Sequence, residues 1–340
     1  MNNKGSVIFA GNLIVDRLKF VEAWPPEMGL TTITRQMSGL GGLVCNCAID
    51  MAKLAPEVPV KVLGMAGEDA LGDLIMDELS KFPSIDTGLV TRAGETSFTD
   101  VITTPGGRRT FFQFRGAGAL LGPEHFDFAR CGAEILHIGY ILLLDRLDGP
   151  DKDYPTGMCR VLDAAGKAGI LTSVDMVSEA ADRYRAVAAP ALAYTDILTI
   201  NDTEAEGVTG IRIRDAEGRL LDGALEACVR ALAALGVKKW VCVHMPELAA
   251  GCDVASGEYM TAKSIALPEG FIKSSVGAGD AFAAGLLYAV RRGLTLAEAL
   301  AEANIVAAYS LKGYGANDSM APLAEIKAKM AAETERVKGL

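Results

Sequence analysis

Histidine is nearly absent from this sequence. Its 340 residues include three, at positions 125, 137 and 244, and none stands at ligand spacing from another. The seven cysteines are scattered, odd in number and without a Cys-x-x-Cys pair. Together these shortages argue against a zinc centre and a disulfide framework. They suit reduced, mostly buried thiols in a cytosolic protein. Long hydrophobic runs are also missing. The longest apolar stretch, 135–144, falls far short of the roughly 18 residues that a membrane span needs. "SVIFAG" near the start is too short for the core of a secretory signal. Positive charge is in deficit, with 33 basic residues against 43 acidic ones and a net charge of −10. That balance argues against nucleic acid or an anionic membrane as partner. Aromatic residues make up 6%, which mildly disfavours a pocket that sandwiches a base between rings. No internal repeat, low-complexity tract or long linker is visible.

What is present is alternation. Six short apolar runs, at 6–10, 60–65, 134–139, 170–175, 196–201 and 239–244, show little polar alternation, as expected of strands covered on both faces. Helical patterns lie at 42–55, 70–82, 156–168, 222–235, 279–292 and 296–311. The last opens on Thr295 and Glu298, a capping-box pair, and the one before closes on Arg291-Arg292-Gly293. Strand and helix in alternation predict an α/β fold, a mostly parallel sheet with helices on both faces. Ligands of such folds bind beyond the C-terminal strand ends. One stretch departs from the pattern. Residues 96–114 read as two strands about Pro105-Gly106-Gly107, and further strands at 13–21 and 31–37 would complete a small antiparallel sheet projecting from one large domain.

"SVGAGD" (275–280) carries the chemistry. Read as a strand giving way to a helix, it leaves backbone N–H groups unobstructed at the positive end of the helix dipole, a concave anion site. A carboxylate there would repel phosphate unless Asp280 faces an attacking hydroxyl while the amides of Gly277, Ala278 and Gly279 face the transferred group. That is the layout of phosphoryl transfer. The helix N-terminus would favour ionised Asp280. The bland alternative is a tight turn with Asp280 as a capping carboxylate.

At this point the sequence resembles the ribokinase/PfkB family of carbohydrate and nucleoside kinases over nearly its whole length. "GNLIVD" (11–16) is similar to the family's first strand, which implies that Asp16 binds substrate. "GGLVCNCA" (41–48) resembles the glycine pair and asparagine that hold substrate hydroxyls, here Gly41, Gly42 and Asn46. "LGMAGEDALGD" (63–73) is close to the GxxGxDxxG pattern, and "NDTE" (201–204) to NxxE, which implies that Asn201 and Glu204 organise Mg²⁺ and phosphate, with Glu204 the metal residue. "VGAGDAFAAG" (276–285) is near-identical to the signature, with Asp280 as general base and Gly277, Ala278 and Gly279 as anion hole. Asn304 falls where the family lets a side chain meet adenine. Taken alone, Asp16 also reads as a turn residue, Asn46 as a satisfied buried amide, and Asn201 with Glu204 as a helix cap.

The resemblance implies a ribokinase-like three-layer, Rossmann-like fold over 1–340, with a β-lid from about 13–37 and 96–115. It implies ATP-dependent phosphorylation of a sugar hydroxyl, with a nucleoside kinase or a non-catalytic sugar-binding member as alternatives. ATP and Mg²⁺ are the expected cofactors, a sugar the partner, and a homodimer through the lid the expected assembly. Ser274 and Ser275 stand where the family usually has an aspartate-threonine pair, so the acid that organises a monovalent cation is replaced. The stretch "HMPELAAG" (244–251) departs from the usual nucleotide-side loop. "GAGALLG" (116–122) mimics a dinucleotide fingerprint, but Pro123 interrupts any helix start there.

Overall fold

The computed structural model describes residues 5–129, 131–179 and 183–338. Its strands, in chain order, are β1 (Ser6–Gly11), β2 (Ile14–Val21), β3 (Ile33–Gly41), β4 (Val60–Ala66), β5 (Ile85–Arg92), β6 (Phe98–Thr103), β7 (Arg109–Phe114), β8 (Ala133–Ile141), β9 (Leu171–Met176), β10 (Ile197–Asn201), β11 (Trp240–His244), β12 (Leu248–Asp253) and β13 (Glu258–Lys263). The helices are α1 (Gly42–Leu54), α2 (Ala70–Ser80), α3 (Asp145–Asp148), α4 (Gly157–Lys167), α5 (Ala189–Leu192), α6 (Asp202–Thr209), α7 (Ala224–Ala234), α8 (Ala278–Arg292), α9 (Leu296–Ser310) and α10 (Leu323–Lys338).

Nine strands form one sheet in the order β13-β12-β11-β10-β9-β8-β1-β4-β5. The run from β11 to β5 is parallel, and β12 and β13 extend it antiparallel. Side chains alternate between its faces, as the pleat requires. Val7 and Phe9 of β1 pack with α1, α2 and α8, while Ile8 and Ala10 pack with α4 and α7 on the other side. Trp240 and Cys242 of β11 meet α8 and α9, and Val241 and Val243 face α7. The sheet is therefore the middle of three layers. Strand order reverses between β1 and β8, which opens a crevice at their C-terminal ends.

The second sheet has the order β3-β2-β6-β7. Two antiparallel pairs, β2 with β3 and β6 with β7, join along a parallel seam between β2 and β6. The turn between β6 and β7 has φ of 90° at Gly106 and 81° at Gly107, values that glycine takes without strain. The motif "GxxGxDxxG" ties the sheets together. Asp69 caps α2 through the Gly72 N–H at 2.8 Å and also accepts from the backbone N–H of Thr96 at 2.8 Å. The stretch 116–122 holds a short 3-10 turn, Gly116–Leu120, which follows a strand of the small sheet and opens no α-helix, so it is no dinucleotide site. All seven cysteines are buried and unbridged. Among the described residues, no helix is long and apolar enough to cross a membrane.

Candidate active site

The site grows from the first turn of α8. A loop, 264–276, leads into it rather than the strand expected, because Pro268 and Gly270 interrupt the chain there. Gly277 takes φ of 75°, a value that only glycine adopts cheaply, and a Cβ added to it would lie 2.5 Å from Cβ of Ala316. The first intrahelical bond runs from Ala281 N–H to the Gly277 carbonyl at 2.8 Å. The amides before it have no helical partner. That of Ala278 makes a 3.3 Å turn bond to Ser275, so Gly277 and Gly279 are the freer donors. All three residues line a cavity of about 530 Å³.

Asp280 faces the same cavity and is 5% exposed. Its Oδ2 accepts from Asn46 Nδ2 at 2.8 Å, and the Tyr140 hydroxyl stands 2.8 Å from Oδ1 and 2.9 Å from Oδ2. Burial raises its pKa above the ordinary carboxylate value, against the hydrogen bonds that lower it. The expectation that the helix N-terminus would dominate is thereby corrected: desolvation of the charged form outweighs it.

Asp16 enters from β2, where it pairs with Thr99 of β6, which in turn pairs with Gln113 of β7. The three form one row on the cavity wall. Burial, and then the charge of Asp280, push Asp16 up to about 6. Gly41 does not line the cavity. A Cβ on it would lie 2.3 Å from Oδ2 of Asp16, so its contribution is room for that carboxylate. Gly42 does line the cavity, and Asn46 follows one turn later in a helix whose residues other than Lys53 are all buried. Asn46 Oδ1 is buried without a partner, which leaves an acceptor for a ligand hydroxyl. Gln113 Nε2 is likewise buried without a partner and offers a donor.

Asn201 and Glu204 form the N-terminal capping box of α6. The Asn201 side chain accepts from Glu204 N–H, and Glu204 Oε2 accepts from Asn201 N–H at 2.9 Å. Glu204 Oε1 takes further bonds from Ser178 at 2.8 Å and Asn201 Nδ2 at 2.8 Å. The cap and the cavity wall are thus the same residues. Burial pushes Glu204 up to about 7. Asp175, at the end of β9, is raised well above its usual value by burial, then by Glu204 and Asp280.

A second cavity of about 690 Å³ adjoins the first, and both are bordered by Asn201, His244, Ser275, Ala278 and Gly279. Ile265, Leu267 and Phe282 give it apolar walls. Asn304 lines it and donates Nδ2 to the carbonyl of Ala262 at 2.8 Å, pinning the end of β13. Ser274 accepts from Val276 N–H at 3.2 Å and from Arg109 at 3.4 Å.

Sequence reasoning missed Tyr140, Asp175, Gln113 and His244. Each lies at a strand end or on the small sheet, where a single chain shows no motif.

These raised carboxyls predict the pH dependence of stability. Asp16, Asp148 and Glu204, at about 6, 6 and 7, hold protons more readily folded than unfolded, as do Asp50 and Asp175. Their contribution is fully present below the unfolded value of about 4 and is lost as pH rises through the folded values. Burial lowers His137 and His244 to about 3 and about 4, which acts in the opposite sense below the usual histidine range. The carboxyls outnumber the imidazoles. The ligand-free protein should therefore melt at a higher temperature at pH 5.5 than at pH 8. A melting temperature that rises steadily from pH 5.5 to pH 8 contradicts the arrangement.

The pattern of the pfkB family carbohydrate kinases matches residues 5–323. An ATP-dependent ribose-1-phosphate kinase of Halopiger xanaduensis is 26% identical over 200 residues, covering 58% of this chain and 62% of that relative. Among solved structures, ribokinase from Giardia lamblia superposes with a TM-score of 0.78 at 20% identity, covering 97% of this chain and 99% of that one. Arabidopsis thaliana ribokinase, complexed with ribose and ATP, gives 0.77 at 21% identity, covering 96% and 99%. These likenesses show a shared fold. The match across residues 5–323 establishes that the chain belongs to the pfkB family of carbohydrate kinases.

Proposed function

We propose that the protein transfers the γ-phosphoryl group of ATP to a hydroxyl of an uncharged sugar. One observation carries this reading: a buried carboxylate, Asp280, sits where two adjoining cavities share the N-terminal turn of α8. The apolar second cavity is suited to the nucleotide base, with Asn304 fixing one wall. The first cavity takes the acceptor. Asp16 and Asn46 Oδ1 accept from its hydroxyls, Gln113 donates, and Gly42 leaves space for it. The acceptor O–P bond forms as the bond from the γ-phosphorus to its bridging oxygen breaks. The electron pair leaves on ADP, and the acceptor proton passes to Asp280. The amides of Gly277 and Gly279, with Ala278, stabilise the charge that moves through the transferred group.

Mg²⁺ fits this lining. Among the described residues, the first cavity is bordered by five carboxylates and no lysine or arginine, so a triphosphate needs a cation beside it. No three His, Cys, Asp or Glu side chains among the described residues stand close enough to hold an ion directly. Glu204 and Asn201, already hydrogen-bonded, would hold it through its waters. When bound, the ion neutralises phosphate oxygens. A monovalent cation has no acid at Ser274 to hold it.

The same acidic lining selects the acceptor. A sugar phosphate would bring a dianion against Asp16, Asp175, Glu204 and Asp280, with Glu179 already paired to Arg183, so an unphosphorylated sugar is favoured over the substrate in the Halopiger relative's name. Nucleosides are the second reading, favoured by Phe111, which borders the cavity with 61% of its surface exposed and offers one ring to a base. Phe111 also continues an open face of the small sheet with Met37, which suits that sheet as a lid and as the seam of a homodimer. The unbridged thiols suit a cytosolic location.

The test is an ADP-release assay with Mg-ATP across free sugars, nucleosides and sugar phosphates. Turnover of a free sugar is expected, with sugar phosphates at least tenfold poorer in kcat/KM. Preference for a phosphorylated sugar, or ligand binding without any turnover, overturns the reading.

A further inference from the structure

Tyr140 has no part in the scheme above, yet its hydroxyl touches the base. It has one proton and two carboxylate oxygens within reach, at 2.8 and 2.9 Å. Asn46 already donates to Oδ2, and the next donor to Oδ1 is the Cys47 thiol at 3.9 Å. Oδ1 therefore has the phenol as its one close side-chain donor among the described residues. If the phenol proton turns to Oδ2, Oδ1 is freed for an acceptor hydroxyl and no heavy atom needs to move.

The ring is held for this. The Tyr140 N–H donates to Asn12 Oδ1 at 2.8 Å, its carbonyl accepts from Leu143 N–H at 3.1 Å, and Asn12 Nδ2 donates to the Leu143 carbonyl at 3.3 Å. Leu142 follows at φ of 83°, and its carbonyl accepts from Arg115 and Arg183. A turn tied at so many points presents the phenol in one place, at the crevice between β1 and β8. Tyr140 also lines the acceptor cavity, so the phenol stands where an acceptor must arrive.

We propose that Tyr140 is a positioning residue that caps the Asp280 carboxylate until an acceptor hydroxyl replaces it, and so withholds the base from water. The proposal rests on the phosphotransfer reading of Asp280. In the acceptor-free enzyme, each carboxylate oxygen faces a donor, so a stray water must compete with the phenol for Oδ1 and ATP hydrolysis is slowed. An acceptor held by Asp16 and Asn46 competes for Oδ1 and shifts the phenol to Oδ2. The phenol keeps its own proton throughout, because burial and the charge of Asp280 hold its pKa well above the ordinary tyrosine value. The other ionisable groups around Asp280 are Cys45, Cys47 and Asp50 on α1, Asp16 on β2 and Asp175 on β9, with His244 of β11 against Gly279. None of these is substituted when the phenol is removed, so the parent carries the same charged neighbours.

The test is Tyr140→Phe in the full chain, with two readouts. Acceptor-independent ATP hydrolysis, relative to phosphotransfer, should rise about tenfold, in the range one removed hydrogen bond to a charged group gives. The titration of Asp280, followed by carboxyl ¹³C NMR and assigned by its loss in Asp280→Asn, should move up by about one pH unit, because a lost donor disfavours the carboxylate. Site-specific 3-fluorotyrosine at position 140, a stronger donor that keeps the hydroxyl, should move it down and serves if the phenylalanine variant does not fold. An unmoved titration overturns the proposal, and so does a moved titration with an unchanged hydrolysis ratio. Failure of the parent to phosphorylate any acceptor overturns the phosphotransfer reading instead, and the titration still decides whether Tyr140 governs the carboxylate.

Discussion

Asp280→Asn is expected to lower kcat by about 10²- to 10⁴-fold, the range a positioned general base supplies. The amide matches the carboxylate in shape and cannot take the acceptor proton. Two features of the site make this a clean experiment. Asp280 is buried and its charged form is disfavoured there, so a neutral side chain relieves a desolvation cost. Against that, the new amide N–H₂ competes with the Asn46 Nδ2 donor now on Oδ2. The two effects oppose, and the melting temperature should stay within a few degrees of the parent. Nucleotide affinity should also hold, because the second cavity is untouched. Steady-state kinetics with saturating acceptor and a thermal melt on the same sample check both statements. A loss of less than tenfold in kcat removes Asp280 from the role of base.

Gly277→Ala is expected to lower kcat/KM by about 10²- to 10³-fold, as expected for losing one preorganised backbone donor. A methyl group at φ of 75° is strained by itself, and this one would also meet Ala316 at 2.5 Å. The loop that carries Ala316 would be pushed aside, or the first turn of α8 would rotate. Either movement misplaces the amides. The double variant Gly277→Ala with Ala316→Gly relieves the side-chain part of the crowding and leaves the backbone part. It removes the 2.5 Å side-chain contact and leaves the 2.8 Å approach to the Cα of residue 316 and the strained dihedral, so the melting temperature should recover in part while activity stays low. Activity within a factor of three of the parent, in either variant, would show that these amides do not hold the transferred group.

Legibility of the sequence followed burial. The six runs predicted as strands are β1, β4, β8, β9, β10 and β11, each lying inside the large sheet and covered on both faces. Such strands need unbroken apolar residues, and that need is visible in one chain. Strands β5, β12 and β13 escaped notice. β5 and β13 are edge strands with exposed positions, and β12 is built from Leu-Ala-Ala-Gly-Cys-Asp, small residues with little strand preference of their own. The predicted helices agree with α1, α2, α4, α7, α8 and α9 to within a residue or two at each end. Thr295 does cap α9 through Glu298, because that bond is local and its partners lie three residues apart.

The site divides in the same way. Gly277, Ala278, Gly279 and Asp280 were readable because an anion cradle on a helix start is a local object. Asn201 and Glu204 are local too, and the helix cap and cavity wall read as rivals turn out to be compatible in one pair of side chains. Tyr140 and Asp175 were not readable. They reach Asp280 only because β8 and β9 lie between β1 and β10, a fact of strand order and not of spacing. Gln113 comes within reach of Asp16 only through the register of three strands in the small sheet.

The most direct measurement is a crystal structure of the protein with Mg²⁺, a non-hydrolysable ATP analogue and a free sugar that proves to be turned over. The account predicts the γ-phosphoryl group within hydrogen-bond reach of the Gly277 and Gly279 amides, and a sugar hydroxyl bonded to Asp280 in line with it. A nucleotide bound away from the first turn of α8, or a sugar whose hydroxyls leave Asp280 untouched, contradicts it.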